Sequence, residues 1–126
     1  MEKKLIRNNA LKVISTEING IKKLSQILDN NFSKVLIRLS KVKGKVIFTG
    51  IGKSENIAIH TANLLKCIGL NAFYLNCNNS LHGDIGTIAS HDIVFLFSKS
   101  GNTRELIELL AFLNKRKSLT IGVCCN

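Results

Sequence analysis

Two spacing regimes divide the chain. From Leu5 to Leu39 apolar residues recur at intervals of three and four: Leu5, Ile6, Leu11, Val13, Ile14 and Ile18, then Ile21, Leu24, Ile27, Leu28, Phe32, Val35, Leu36 and Leu39. That is the period of amphipathic helices, whose apolar stripes need a surface to cover them. Asn19-Gly20, a turn-prone pair, is expected to separate a first helix from a second. Lys43-Gly44-Lys45 then closes the helical region, which places two leading helices at about residues 5–42.

Beyond Lys45 the pattern changes. Val46-Ile47-Phe48-Thr49, Asn71-Ala72-Phe73-Tyr74-Leu75, Asp92 to Phe97 and Leu119 to Cys124 are short runs rich in β-branched and aromatic residues, and read as strands. Lys53 to Leu65 and Thr103 to Arg116 read as helices, with Gly69 a stop for the first of them. Cys77 to Ser80 reads as loop, and Leu81 to Ala89 as a short helix. Strands alternating with helices predict an α/β fold over about residues 45–126: a parallel sheet in three layers, flanked by helices and joined by right-handed crossovers. Ligands of such sheets bind at the carboxyl ends of the strands. The turns after the first and third strands are therefore the places to look. No internal repeat, linker or low-complexity segment interrupts the chain.

Those turns carry the chemistry. Ser98-Lys99-Ser100-Gly101-Asn102-Thr103-Arg104-Glu105 sets three hydroxyls and a glycine where a strand gives way to a helix. Free N–H groups at a helix start favour an anion, and hydroxyls add donors. The competing reading is a helix cap, with Asn102 as cap and Glu105 reaching back to it. Gly50-Ile51-Gly52-Lys53-Ser54 is a second strand-to-helix turn. It is not a dinucleotide fingerprint, because Glu55 stands where the third glycine belongs. Nor is it a P-loop, because Ile47 stands where the first glycine belongs. A lysine in the first turn of a helix opposes the helix dipole, so Lys53 hints at a bound anion. Leu81-His82-Gly83-Asp84-Ile85-Gly86 adds a histidine able to exchange protons near neutral pH; a loop histidine can equally be structural or merely exposed. His60 and His91 read as structural. Glu105 has two readings, cap or general base, since it stands at the same sheet edge as the hydroxyl turn.

Composition narrows the classes. The 126 residues suit one domain, and 45% hydrophobic content marks a globular chain. No apolar run approaches the roughly 20 residues of a membrane span, and the basic amino-terminal segment has no sustained apolar core, so it is not a secretory signal. The expected location is the cytoplasm. Cys67, Cys77, Cys124 and Cys125 form no Cys-x-x-Cys pair, so no metal site is expected, and buried free thiols are the expected state. The net charge of +10 raises nucleic acid as a partner. Against it, the lysines are dispersed, aromatics are few, and no basic–aromatic RNA-binding signature is present. A basic surface also attracts anionic metabolites.

Taken together, the segments 50–54, 81–86 and 98–105 resemble the sugar isomerase (SIS) domain, and most of all its D-arabinose 5-phosphate isomerase branch. The glycine and hydroxyl turns are shared across SIS domains, and the His-Gly-Asp segment narrows the match. The resemblance covers roughly residues 8–126. It implies an SIS-type, flavodoxin-like sheet and interconversion of D-ribulose 5-phosphate and D-arabinose 5-phosphate through an enediol. That reaction would serve synthesis of the acidic sugar Kdo of lipopolysaccharide. It implies no cofactor, and self-association into dimers or tetramers. By the same resemblance Ser98, Ser100, Thr103 and Ser54, with backbone amides near Gly101, hold the substrate phosphate. Glu105 shuttles the proton, and Lys53 and His82 assist catalysis. Lys99 stands where the family usually has asparagine. The family's domain also continues with a further strand, helices and another catalytic histidine, and many members add a paired CBS module. The chain is therefore expected to be a carboxyl-terminally shortened SIS domain without that module. A sugar-phosphate-binding module without turnover, or an inactive remnant, is the alternative function.

Overall fold

The computed structural model describes residues 2–125. Its elements run α1 (Glu2–Ile27), α2 (Asn30–Ser40), β1 (Val46–Gly50), α3 (Lys53–Cys67), β2 (Ala72–Tyr74), α4 (Cys77–Ser80), a 3-10 turn (Asp84–Thr87), β3 (Ile93–Phe97), α5 (Arg104–Arg116) and β4 (Leu119–Val123). By contacts the chain divides into two units, 1–38 and 39–126.

In the first unit, α1 runs unbroken through Asn19-Gly20. A mid-helix glycine costs only about 1 kcal/mol against alanine, too little to end a helix flanked by good formers. The break falls instead at Leu28-Asp29. There the Asp29 carboxylate accepts from the backbone N–H groups of Asn31 at 2.8 Å and Phe32 at 3.0 Å, the geometry of an N-cap for α2. The Phe32 N–H holds the Asp29 carboxyl below its ordinary value. Neither α1 nor α2 buries a residue; Leu11, Ile14, Ile18 and Ile21 of α1 are all exposed.

In the second unit, four strands form a parallel sheet ordered β2-β1-β3-β4. Side chains alternate between its faces. On one face Ile47, Val94 and Leu96 meet Leu75, Cys77, Ile85 and Ile88 and the stripe Leu106, Leu109 and Leu113 of α5, all buried. On the other, Phe48 stacks on Phe95 with ring centroids 4.9 Å apart, and α3 packs on β1 and β2 through buried Ala58 and Ala62. The three-layer α/β sheet is thus as the alternation of elements predicts. Gly69 ends the α3 turn at φ 86, its N–H bonded to the Lys66 carbonyl at 3.0 Å.

The amino-terminal edge of the sheet is pinned by one carboxylate. Asp92, 1% exposed, accepts from the backbone N–H of Lys45 at 2.7 Å and of Ala89 at 2.8 Å. The Lys45 ammonium lies 3.2 Å from the same carboxylate. Gly44 is required beside it, because a Cβ there would come within 2.5 Å of Asp92 Oδ1 and 2.6 Å of the His91 carbonyl oxygen.

A further local expectation fails. Cys77 to Ser80 is a helical turn rather than a loop, because Asn76 caps it by accepting from the Asn79 N–H at 3.0 Å. Residues 81–89 do hold a short helix, the 3-10 turn Asp84–Thr87, which starts after Gly83 at φ 138.

Candidate active site

The strand order decides where the loaded turns meet. β1 lies between β2 and β3, so the connections leaving β1 and β3 pass to opposite faces, which opens a crevice at their carboxyl ends. The glycine turn after β1 and the hydroxyl turn after β3 flank that crevice. A cleft of about 540 Å³ lies there, lined by Ile51, Lys53, Ser54, Lys99, Ser100, Thr103 and Cys125.

The β1 turn is built by close approach. A Cβ on Gly50 would lie 2.8 Å from the Ser54 carbonyl group, so only glycine lets α3 start directly above the strand. Gly52 takes φ 61, a conformation that costs other residues strain. The result sets Lys53 and Ser54 in the first turn of α3, where the Ser54 N–H donates to the Ile51 carbonyl at 3.2 Å and the Glu55 N–H to the Gly52 carbonyl at 3.1 Å. Behind them Tyr74 and Asn76, at the end of β2, donate hydrogen bonds to the Glu55 carboxylate. Burial, and then this carboxylate, push the Tyr74 hydroxyl up to about 12, so it stays protonated and holds the first turn of α3 to β2.

The β3 turn is held from two sides. Ser98 N–H donates to the Val123 carbonyl at 3.0 Å, and Cys125 N–H donates to the Lys99 carbonyl at 3.1 Å. Gly101 takes φ 69. The cap of α5 is Thr103, not Asn102. With Thr103 as cap, Glu105 is only the second helical residue, one short of the position from which a capping box reaches back. The Thr103 side chain does not cap its helix either. Its hydroxyl instead meets Ser98 Oγ at 2.8 Å, so these two residues form a hydroxyl pair. Ser100 Oγ accepts from the Asn102 N–H at 3.2 Å.

Of the residues singled out in the sequence, Lys53, Ser54, Ser100 and Thr103 line the one cleft. Ser98 and Gly101 line a smaller apolar pocket of about 150 Å³ between β3, β4 and the start of α5, and Ser98 reaches the cleft through Thr103. Glu105 is half-buried in the first turn of α5, beside α4. Burial pushes the Cys77 thiol up, and the Glu105 carboxylate adds to the rise. Thr49 Oγ1, next to that thiol, is the buried side-chain polar atom among the described residues without a partner in hydrogen-bonding geometry. His82 sits in the exposed turn after α4, its N–H bonded to the Asn79 carbonyl at 2.9 Å, and lines neither cavity.

Three lining residues, Ile51, Lys99 and Cys125, are not among the site residues the sequence singles out. Lys99 sits inside the hydroxyl turn, and treating every polar residue of that turn as a candidate would have found it. Cys125 has no local signal; the sheet places it. The thiols also differ from expectation, since Cys67, Cys124 and Cys125 are exposed and only Cys77 is buried. Cys124 and Cys125 follow the end of β4. No group of three or more metal-ligating side chains occurs among the described residues, and none of their helices is long and apolar enough to cross a membrane.

Several known proteins are similar to this chain in sequence and fold. The chain is 32% identical over 114 residues to the arabinose 5-phosphate isomerase KdsD of Yersinia pestis, a match covering 90% of this chain and 35% of that protein. A candidate sugar-phosphate isomerase of Listeria monocytogenes superposes with a TM-score of 0.92 at 30% identity, over 100% of this chain and 66% of that one. The structure of c3406 from Escherichia coli CFT073, in complex with arabinose 5-phosphate, superposes with a TM-score of 0.76 at 30% identity, over 93% of this chain and 64% of that one. The chain spans about a third of the length of the curated relatives it matches. The sequence model of the SIS domain matches residues 38–126, which takes in the whole sheet and both turns of the cleft. With that match over more than half of its length, the chain belongs to the SIS domain family.

Proposed function

We propose that the cleft binds a sugar phosphate and that the chain, an SIS domain over residues 1–126, serves interconversion of D-ribulose 5-phosphate and D-arabinose 5-phosphate for Kdo and lipopolysaccharide synthesis. One observation carries this reading. Two helix N-termini, two lysines and three hydroxyls converge on one cleft at the carboxyl edge of the sheet. Helix N-termini and ammonium groups favour a phosphate, and the hydroxyls add directional donors. Ser54, Ser100 and Thr103 hold the phosphate, and Ser98 orients Thr103 through the hydroxyl pair. Backbone N–H groups near Gly101 join them by exchanging their present acceptors, the Ser98 carbonyl and Ser100 Oγ, for the phosphate. Glu105 moves the proton between the first two sugar carbons through the enediol, while Lys53, from its place beside the phosphate, and His82 polarise or position the sugar. No cofactor enters the scheme, and the cytoplasm is the proposed location. Relatives at 28–32% identity that are named arabinose 5-phosphate isomerases, and the neighbour solved with arabinose 5-phosphate, support the choice of substrate.

A second reading is a sugar-phosphate-binding module without turnover. The positions of His82 and Glu105 outside the cleft lining favour it. Incubation of the purified chain with ribulose 5-phosphate, followed by NMR, separates the two. Appearance of arabinose 5-phosphate is the expected result. Binding without a new sugar signal identifies the module, and neither binding nor turnover in a folded sample overturns both.

We also propose self-association into dimers or tetramers. A 26-residue amphipathic helix that buries none of its residues lacks the packing of its apolar face that supplies most helix stability in proteins. Exposed apolar side chains from Leu5 to Leu36 supply a surface to be covered. Sedimentation equilibrium at micromolar concentration is expected to return at least twice the chain mass of 13.9 kDa, and a monomer would refute the proposal.

A further inference from the structure

We propose that Lys99 is a second phosphate-binding cation, facing Lys53 across the cleft, and that this pair sets the site's preference for a dianion. The inference rests on reading the cleft as the phosphate site. Each turn contributes the same kit: Lys53 with Ser54 after β1, and Lys99 with Ser100 after β3. Neither lysine has an ion pair among the described residues. None of their carboxylates lines the cleft. Two ammonium groups sharing a concave surface without a counter-ion repel one another, and an anion between them relieves that repulsion. A single negative charge satisfies one ammonium; a phosphate dianion satisfies both.

The main chain of Lys99 is fixed on both sides. Its carbonyl accepts from Cys125 N–H at 3.1 Å, and the neighbouring Gly101 N–H reaches the Ser98 carbonyl at 3.4 Å. The turn is thus tied to the segment after β4 and presents Lys99 without ordering a free loop. Because the two lysines come from different strands, an anion held by both also bridges the crevice between β1 and β3.

The test uses the full chain and inorganic phosphate, with acetate as the monoanionic probe, titrated calorimetrically at pH 8 and fixed ionic strength. Lys99→Gln is expected to weaken phosphate binding about tenfold and to narrow the preference for phosphate over acetate. Lys34→Gln, which removes the same charge from the exposed surface of α2, is expected to leave both unchanged. If Lys99→Gln binds phosphate within twofold of the parent while Lys53→Gln or Ser100→Ala weakens it, the cleft is a phosphate site and Lys99 is not its ligand. Equal weakening by Lys99→Gln and Lys34→Gln reduces the effect to net charge and also overturns the proposal. If the parent chain binds no phosphate, the reading of the cleft falls, and this inference with it.

Discussion

Glu105→Gln is expected to lower isomerase turnover by about a hundred- to ten-thousand-fold, the usual loss when a positioned acid–base group is removed, while phosphate affinity stays within a few-fold of the parent. The substitution is nearly isosteric and leaves the helix intact, but an amide cannot accept the substrate proton. The structure makes Glu105 available for this role in two ways. It is the second residue of α5, with Thr103 as cap, so its carboxylate is not engaged in closing the helix. It is also half-buried against α4, where its charge acts on the Cys77 thiol. NMR turnover and phosphate calorimetry on the same sample read the two outcomes separately. A Glu105→Gln variant that retains turnover within threefold would place the base elsewhere, and His82 would become the next candidate.

Asp92→Ala is expected to cost about 3 kcal/mol of folding stability, a large share of what a domain of this size holds. The carboxylate satisfies two backbone N–H groups and pairs with one ammonium at the start of β3; its removal leaves the two N–H groups without their acceptor, while the partly exposed Lys45 ammonium keeps the Thr87 carbonyl at 2.6 Å. The pH dependence has a definite sign. Burial by itself would raise the Asp92 carboxyl, but the N–H groups of Ala89 and Lys45 and the Lys45 ammonium outweigh it, and the carboxyl lies below its ordinary value of 3.8. A lowered folded-state value means the unfolded chain binds the proton more tightly. The contribution of Asp92 is therefore fully present above about pH 4 and is lost as pH falls through the folded-state value. Urea denaturation of parent and variant should show the full gap at pH 7 and a closing gap below about pH 4. A gap that stays constant across that range would mean that the carboxylate's charge contributes nothing.

The places where sequence and structure part share a cause. Asn19-Gly20 reads as a break because glycine and asparagine are weak helix formers. Asp29 makes the break because its side chain satisfies the unpaired N–H groups of the next helix. Asn102 reads as a cap on the same logic, yet the cap falls at Thr103, whose hydroxyl is already engaged by Ser98. Local preference names residues able to cap; only the path of the chain says which one is at the helix start. The cysteines show the complementary failure. Thiols are often buried, but exposure depends on what covers the segment, and Cys124 and Cys125 lie past the end of β4.

What the sequence determined by itself was the kind of each element and the chemistry of each turn. Apolar spacing switches near Lys45 from a period of three to four to short β-rich runs, and the sheet and its crossovers follow. The glycine and hydroxyl turns are legible because glycine, serine and threonine answer local demands of backbone angle and N–H pairing. What only the tertiary structure decided was which turns meet. The order β2-β1-β3-β4 sets residues 50–54 against 98–103 across a crevice, although α3, β2, α4 and β3 all lie between them in the chain. The same order brings Lys99 and Cys125 into the cleft and leaves His82 in an exposed turn. Periodicity acts over a few residues and so survives in the linear text. Strand order rests on burial summed over the whole sheet, and no single stretch of sequence records it.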